Sequence, residues 1–344
     1  MKKYNFAVVG ATGVVGEHFL RVMEEYNLPI DNLYLFASKK SAGKKLTFSG
    51  KEYTVLELTE SSFKEHAVDI ALFSAGGEVS KKFAPLAAGS GAVVIDNSAA
   101  WRMDKDVPLV VPEVNPEAIA LYRNKNIIAN PNCSTIQAML VLKPIMDYCG
   151  IERVIYSTYQ AVSGAGQGGI DDLTNGVDDF VNKRAQRPLK KFPHPIAFNC
   201  IPQIDSFIEN GYTKEEMKMI DETRKILSVP DMKITATCVR VPIYNSHSES
   251  ISVDTTRDFD MAELRKRIAA MPGVVIEDDP ECGVYPMPIN ASGSDKVFVG
   301  RIRRDESTAH GVNMFVVSDN LRKGAATNAV QIAVKLIELK NKEA

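Results

Sequence analysis

A short apolar run, Asn5-Phe6-Ala7-Val8-Val9, passes directly into Gly10-Ala11-Thr12-Gly13-Val14-Val15-Gly16. A segment follows whose apolar residues Phe19, Leu20, Val22 and Met23 recur at helical spacing. Strand, glycine turn and helix in immediate succession leave few architectures open. A continuously apolar strand is buried on both faces, the condition of a parallel sheet covered by helices. Gly10 permits a tight turn, Gly13 lets backbone approach a pyrophosphate, and Gly16 allows close packing of helix on strand. The spacing is G-x-x-G-x-x-G and not the commoner G-x-G-x-x-G. Many α/β proteins use such turns for packing alone, but a place at the first strand-to-helix turn of the chain favours a dinucleotide.

The next strand, Asn32-Leu33-Tyr34-Leu35-Phe36-Ala37, ends in Ser38-Lys39-Lys40-Ser41-Ala42-Gly43. An NAD site usually places a carboxylate at this strand end, on the ribose hydroxyls. Here two lysines and two serines stand instead, suited to a 2′-phosphate, so the expected cofactor is NADP; a solvated basic turn is the alternative. Further strands are expected at 67–77, ending in the small residues Ser74-Ala75-Gly76-Gly77, and at 91–98, where Asp96 and Asn97 lie as such strands deliver residues to a site. Two more, at 107–111 and 126–129, complete the first half. Arg102, beside the single Trp101, suits bidentate capture of phosphate or carboxylate, although a surface arginine reads equally well.

The last of these strands feeds Asn130-Pro131-Asn132-Cys133-Ser134-Thr135-Ile136-Gln137. The apolar spacing through Ile145 predicts a helix of about three turns, with Asn132 as N-cap and Cys133 in the first turn. Unpaired N–H groups and the helix dipole favour an anion there. A thiolate is an anion, so the position suits a nucleophile; a buried structural cysteine is the competing reading.

Bulk properties narrow the class. The chain has 344 residues, enough for two domains, and a net charge of −2 with both signs mixed. That balance argues against nucleic acid or an anionic membrane surface as partner. No apolar run approaches the roughly 20 residues of a membrane span, and the first apolar strand is too short for a signal-peptide core. Cys133, Cys149, Cys200, Cys238 and Cys282 are odd in number, scattered and without a Cys-x-x-Cys pair. This argues against a disulfide framework or a zinc ribbon, and no metal site is expected; the expectation is a cytoplasmic enzyme.

Beyond the cysteine the periodicity changes. Residues 154–162 read as a long strand with polar alternation, typical of an antiparallel sheet with one covered face. It ends at Gln160-Ala161-Val162 and a glycine-rich loop, Ser163-Gly164-Ala165-Gly166-Gln167-Gly168-Gly169. Residues 176–195 look like a long excursion. A helix opens at Thr213-Lys214-Glu215-Glu216-Met217-Lys218, where Glu215 and Lys218 share a face and read first as a helix salt bridge. Residues 234–242 read as a strand and 251–255 as the next, with His247 at the turn between them, near Arg240 and Glu249. Residues 261–270 read as a helix, 297–303 and 311–318 as paired strands. A closing helix, with apolar positions 329, 330, 333, 336 and 337, is expected to return to the first half.

A nucleotide-binding half, an activatable cysteine, a histidine and several cations suit one reaction type. The thiolate adds to an acyl carbon, a nicotinamide exchanges a hydride with the adduct, and phosphate makes or leaves the acyl group. Gly10 to Gly16, Asn130-Pro131-Asn132-Cys133-Ser134-Thr135, Tyr159-Gln160-Ala161-Val162-Ser163-Gly164-Ala165-Gly166 and Arg240-Val241-Pro242…His247-Ser248-Glu249 together resemble the motif set of the aspartate-semialdehyde dehydrogenases. The likeness runs in order over essentially the whole chain. It implies reduction of 4-aspartyl phosphate by NADPH to aspartate 4-semialdehyde and phosphate, on the route to lysine, threonine and methionine. The implied fold is α/β: a Rossmann-type NADP-binding domain (1–130 plus 320–344) and an α+β catalytic and dimerisation domain (131–319), like glyceraldehyde-3-phosphate dehydrogenase.

By the same resemblance, Cys133 forms the acyl-enzyme, His247 is the acid/base and Gln160 orients the intermediate. Arg240 binds the substrate carboxylate, and Glu215 or its neighbour Glu216 the amino group. Arg102 and Lys218 hold phosphate, and Asn132 also lies on the substrate. Gly10, Thr12, Gly13, Val14, Val15 and Gly16, with Lys40, Ser41, Ser163, Gly164 and Asn320, contact NADP. Where the family commonly has Arg, this chain has Lys40, and lysine loses the stacking on adenine but keeps the charge, so a weaker preference for NADP over NAD is expected. A homodimer is implied. The rivals are another acyl-phosphate reductase, such as N-acetyl-glutamyl-phosphate reductase, and a non-catalytic NADP-binding sensor; the Ser-Cys-Thr-Thr context of glyceraldehyde-3-phosphate dehydrogenase is absent.

Overall fold

A computed structural model describes residues 2–343. The chain divides into two compact units, one running through Asn132 and resuming at Ala325, the other spanning Cys133–Gly324.

In the first unit six strands form one sheet in the order Leu56–Glu57, Ile30–Ala37, Tyr4–Val9, Ile70–Phe73, Val93–Asp96, Ile127–Ala129. Every pairing is parallel. Phe6, Val8, Leu35, Ile70, Leu72 and Ile95 are buried in its core, as continuous apolar strands require. Helix Val14–Glu25 turns Phe19, Leu20, Val22 and Met23 inward. The closing helix Thr327–Glu343 packs on Val14–Glu25, and all five of its expected apolar positions are buried. Residues 107–111 form no strand; Leu109 alone bridges to Ala129, because Pro108 and Pro112 remove the donors a ladder needs. A ribbon, Lys45–Phe48 with Lys51–Thr54, went unanticipated. Its turn uses Ser49 and Gly50 at φ +48° and +72°, the positive φ that two-residue hairpins demand.

The second unit carries a six-stranded sheet in the order Lys233–Arg240, Arg153–Gln160, His247–Asp254, Gly311–Ser318, Val297–Asp305, Val274–Ile276. It is mixed, not antiparallel as expected: the first pair and the last pair run parallel. The helices Gln167–Val181 and Lys214–Leu227 lie between the two strands of the first pair in sequence, and such a crossover returns the chain in the same direction. Helix Cys133–Cys149 runs 17 residues, well beyond three turns. Residues 134–142 are buried throughout, so packing on all sides carries the helix past Pro144.

Two expected irregular segments are partly helical. Residues 162–165 form a 3₁₀ turn and Gln167–Val181 a helix, which absorbs the start of the 176–195 excursion. Leu173, Ile196 and Ile201 bury together there, with Ile170, Val177 and Phe192 packed against them. The rest of the excursion is a strap. The Asp172 carboxylate accepts backbone N–H groups of Lys190, Lys191 and Phe192 at 2.7, 2.8 and 3.0 Å. Among the described residues no helix is long and apolar enough to cross a membrane.

Candidate active site

In the first unit the glycine turn has the shape a dinucleotide needs. Gly10 adopts φ +84°, and a Cβ there would lie 2.5 Å from the Ser74 carbonyl oxygen. A Cβ on Gly16 would lie 2.2 Å from the Gly10 oxygen, so this glycine closes the helix onto the turn itself. Gly13 caps helix Val14–Glu25 without any side-chain hydrogen bond. The helix therefore opens with donors and a positive dipole end, the arrangement that receives phosphate. Thr12, Val14 and Val15 are half-buried around it. Ser38, Lys39 and Lys40 are exposed after strand Ile30–Ala37, with Ser41 half-buried, and the segment Ser38–Lys44 holds no carboxylate. These features fit a phosphorylated dinucleotide.

Arg102 is buried in the same unit. Its Nε donates to the Asn130 carbonyl at 2.9 Å and Nη2 to the Asn97 carbonyl at 3.0 Å. Asn130 is held by its own amide, which donates to Asn97 Oδ1 at 2.7 Å. Asn132 is buried as the last residue of this unit before the cysteine helix.

In the second unit the sheet brings three residues to the same end of neighbouring strands. Gln160 and Arg240 end adjacent parallel strands and stand opposite each other in register. The antiparallel strand His247–Asp254 begins at that same end, with Ser248 opposite Tyr159. His247 is therefore not at a turn between strands, as expected, but is the fully buried first residue of a central strand. The Ala161 N–H donates to its Nδ1 at 3.0 Å. Its Nε2 has no hydrogen-bond partner. Burial, and then the Arg240 charge, push its pKa down to about 3, against the opposing pull of Glu215.

Arg240 donates from Nη1 to the Ala161 carbonyl at 2.6 Å, while its guanidinium lies 5.8 Å from the Phe192 ring centroid. Burial lowers its pKa; Glu215 and the Cys133 thiol oppose that shift. Gly164 closes the cluster, since a Cβ there would lie 3.1 Å from both Arg240 Nη1 and His247 Nε2. Cys133 opens its helix at intermediate exposure. Gly324 packs on it so closely that an added Cβ would lie 3.0 Å from the cysteine's own.

The two neighbouring glutamates do different work. Glu216 completes a capping box with Thr213, and its other oxygen accepts the Cys238 N–H at 3.0 Å. Glu215 instead accepts from Gln160 Nε2 at 3.0 Å and from Lys218 Nζ at 3.0 Å. Burial opposes charge on Lys218, but Glu215 and Asp205 outweigh it and hold its pKa above the usual lysine value. Ser163 and Asn320 are buried and bonded to each other, and Asn320 Oδ1 also accepts the Ser246 N–H at 2.8 Å.

The described residues of the second unit thus gather Gln160, Gly164, Glu215, Lys218, Arg240 and His247. Sequence reasoning missed Glu249. It is fully buried two residues after His247, and Gln137 and Ser134 of the cysteine helix favour its charged form against burial. Burial raises its pKa well above the carboxylate range. Gly324 was missed as well; only its packing on Cys133 marks it.

The family model described as semialdehyde dehydrogenase, NAD binding domain, matches residues 5–122. The one described as semialdehyde dehydrogenase, dimerisation domain, matches residues 142–323. The aspartate-semialdehyde dehydrogenase of Aquifex aeolicus is 57% identical over 97% of this chain and 98% of its own. That of Bacillus subtilis is 51% identical over 97% of each. The crystal structure of aspartate semialdehyde dehydrogenase II from Vibrio cholerae, complexed with ASA, superposes with a TM-score of 0.95 at 50% identity, covering 98% and 99% of the two chains. The Candida albicans enzyme with NADP gives 0.78 at 26% identity, covering 99% of each.

Proposed function

The chain belongs to the semialdehyde dehydrogenase family, and we propose that it is the enzyme that reduces 4-aspartyl phosphate to aspartate 4-semialdehyde. One observation carries the reading: Gln160, Arg240 and His247 end or begin three adjacent strands at one end of the sheet, in the unit that Cys133 opens. The exposed basic turn and open helix end of the first unit support NADP as cofactor, which supplies the hydride when bound. Gly10, Gly13 and Gly16 shape the cradle, Thr12, Val14 and Val15 line it, and Lys40 with Ser41 faces the 2′-phosphate. Ser163, Gly164 and Asn320 serve its nicotinamide end.

Cys133 is the nucleophile. Its thiolate forms an S–C bond to the acyl carbon, and phosphate leaves with the C–O bond pair. Reduction of the resulting thioester and expulsion of the thiolate release the aldehyde. Arg240 binds the substrate carboxylate, and Glu215 its amino group; Glu216 is already spent on its cap and on Cys238. Lys218, Arg102 and Asn132 complete the polar contacts, the two cations with phosphate. Gln160 is fixed by Glu215 and orients the acyl group, while His247 is the acid/base. The dimerisation-domain match carries a homodimer. Five free cysteines support a reducing compartment such as the cytoplasm.

The test is phosphate- and NADP-dependent oxidation of aspartate semialdehyde, run beside Cys133→Ser and Cys133→Ala. No activity in the intact protein sinks the enzyme reading. Robust activity in Cys133→Ala sinks only the cysteine mechanism.

A further inference from the structure

We propose that Asp96 is the positioning residue of the phosphate site: through the hydroxyls of Ser80 and Ser98 its carboxylate fixes the segment 98–101 and thereby aims Arg102. This role rests on Arg102 holding phosphate, as proposed above, and it gives work to a strand end that the reaction otherwise leaves idle.

Asp96 is the last residue of strand Val93–Asp96, and its side chain is fully buried. A carboxyl in that setting needs hydrogen-bond donors. Ser98 supplies one, its Oγ donating to Oδ2 at 2.6 Å, the length of a charge-assisted bond. The same Oγ accepts the Ala100 N–H at 3.2 Å. Ser80, buried on helix Gly77–Gly89, is the second hydroxyl that favours the charged carboxyl. Its Oγ accepts the Trp101 Nε1–H at 3.0 Å.

The direction of each bond follows. Indole and amide nitrogens only donate, so both hydroxyl oxygens accept, and each hydroxyl has a single proton left to give. Ser98 gives its proton to Oδ2. That of Ser80 is left for Oδ1, a buried oxygen that takes no other hydrogen bond. Only an ionised carboxylate, an acceptor at both oxygens, completes both arms. Burial raises the Asp96 pKa, while the Ser98 and Ser80 hydroxyls, the Ser98 backbone and the Arg102 charge oppose that shift. Two arms thus run from one anion, by Ser98 to the Ala100 amide and by Ser80 to the Trp101 ring. They grip the two residues before Arg102.

Backbone from the same strand end holds Arg102 itself. Its Nε and Nη2 donate to the Asn130 and Asn97 carbonyls at 2.9 and 3.0 Å. Asn97 follows Asp96 directly, and its Oδ1 accepts the Asn130 amide at 2.7 Å. All of these groups belong to the first unit. The guanidinium therefore takes its direction from Asp96 and Asn97. Asparagine at position 96 keeps the shape but turns one acceptor into a donor, which then meets a hydroxyl proton instead of a lone pair. Arg102 loses part of its anchor although no residue that touches phosphate has changed.

Two measurements on the full chain test this. In oxidation of aspartate semialdehyde, Asp96→Asn should raise KM for phosphate about tenfold and leave KM for NADP and for the semialdehyde within about twofold, given that a misplacement of about 1 Å costs some 10²-fold. Ser98→Ala, which removes one arm only, should move the same constant less. The second readout needs no turnover. Trp101 is the chain's only tryptophan and stands next to Arg102, so inorganic phosphate titrated into the unaltered chain should change its emission. The apparent Kd should be about tenfold weaker in Asp96→Asn. Arg102→Ala separates the two claims. If it leaves phosphate binding intact, Arg102 is not the ligand and both readings fall. If it weakens phosphate binding while Asp96→Asn does not, with Ser98→Ala deciding should Asp96→Asn fail to fold, the positioning role alone is overturned. A fall in kcat with all three KM values unchanged, or an emission that phosphate does not move, overturns it as well.

Discussion

The Gln160 side-chain amide donates to the Glu215 carboxylate at 3.0 Å, and both side chains are buried, Gln160 at the strand end that pairs with Arg240. Lys218 takes the other carboxylate oxygen. Gln160 is thereby fixed by a charge-assisted bond that a solvated helix salt bridge would not supply. Replacing Glu215 by Gln should raise KM for the semialdehyde at least tenfold, since the buried partner of the substrate ammonium is lost. Glu216→Ala should leave KM unchanged and lower stability by about 1–3 kcal/mol, through loss of the cap and of the Cys238 contact. Denaturation and steady-state kinetics on the pair separate the two roles; a KM effect in Glu216→Ala alone would reverse the assignment.

Arg240→Lys keeps a positive charge but loses the planar fork, the bond to the Ala161 carbonyl and the face over Phe192. We expect KM to rise about tenfold or more. An unchanged KM would show that the substrate carboxylate is bound elsewhere.

Gly324→Ala places a methyl 3.0 Å from the Cys133 Cβ and 3.4 Å from the Asp319 carbonyl oxygen. The cysteine must shift by a few tenths of an ångström. Misplacement on that scale should lower kcat about tenfold, given that about 1 Å costs some 10²-fold. Alkylation of Cys133 should slow in parallel. If kcat and alkylation match the unmodified chain, the helix start has room that the packing denies.

Glu249 gives a stability signal with a definite sign. Its pKa in the folded chain is raised well above 4.5, mainly by burial. Unfolded, it releases its proton above roughly pH 4.3. Above that pH the folded state binds more protons than the unfolded one, so stability falls as pH rises, by at most about 1.4 kcal/mol per unit, until the folded pKa is reached. Glu249→Gln removes the dependence, and its advantage in urea denaturation should grow between pH 5 and pH 7. A constant difference would mean that the folded chain holds Glu249 ionised.

Lys40 is exposed at the end of strand Ile30–Ala37, in a segment without carboxylates. Lys40→Ala should raise KM for NADP several-fold and leave KM for NAD alone. Equal effects on both would place the 2′-phosphate away from this turn.

How much was legible follows the range of the forces involved. The strand–glycine–helix unit at Gly10–Gly16 was readable because each element depends on neighbours a few residues away. The helices at 214–227 and 261–270 were readable for the same reason: an acidic first turn and regular apolar spacing are local signals. Reading failed where a distant contact overruled a local preference. The helix read as about three turns through Ile145 continues to Cys149, because it is packed on all sides. The glycines at 168, 169 and 176 suggested loop, yet Ile196 and Ile201 bury the face of the helix that contains them.

The sequence by itself determined that a nucleotide turn is followed by a cysteine at a helix start, and which motifs accompany it. Tertiary structure alone decided which of two adjacent glutamates is spent on a cap, that His247 is buried with Nδ1 against a backbone amide, and that a fully buried acid lies two residues beyond it. The reason is physical. Strand residues such as Gln160, Arg240 and His247 are 80 and 7 positions apart in the chain. Their meeting, and hence their desolvation and protonation, is fixed by sheet register and burial, which no local run of residues encodes.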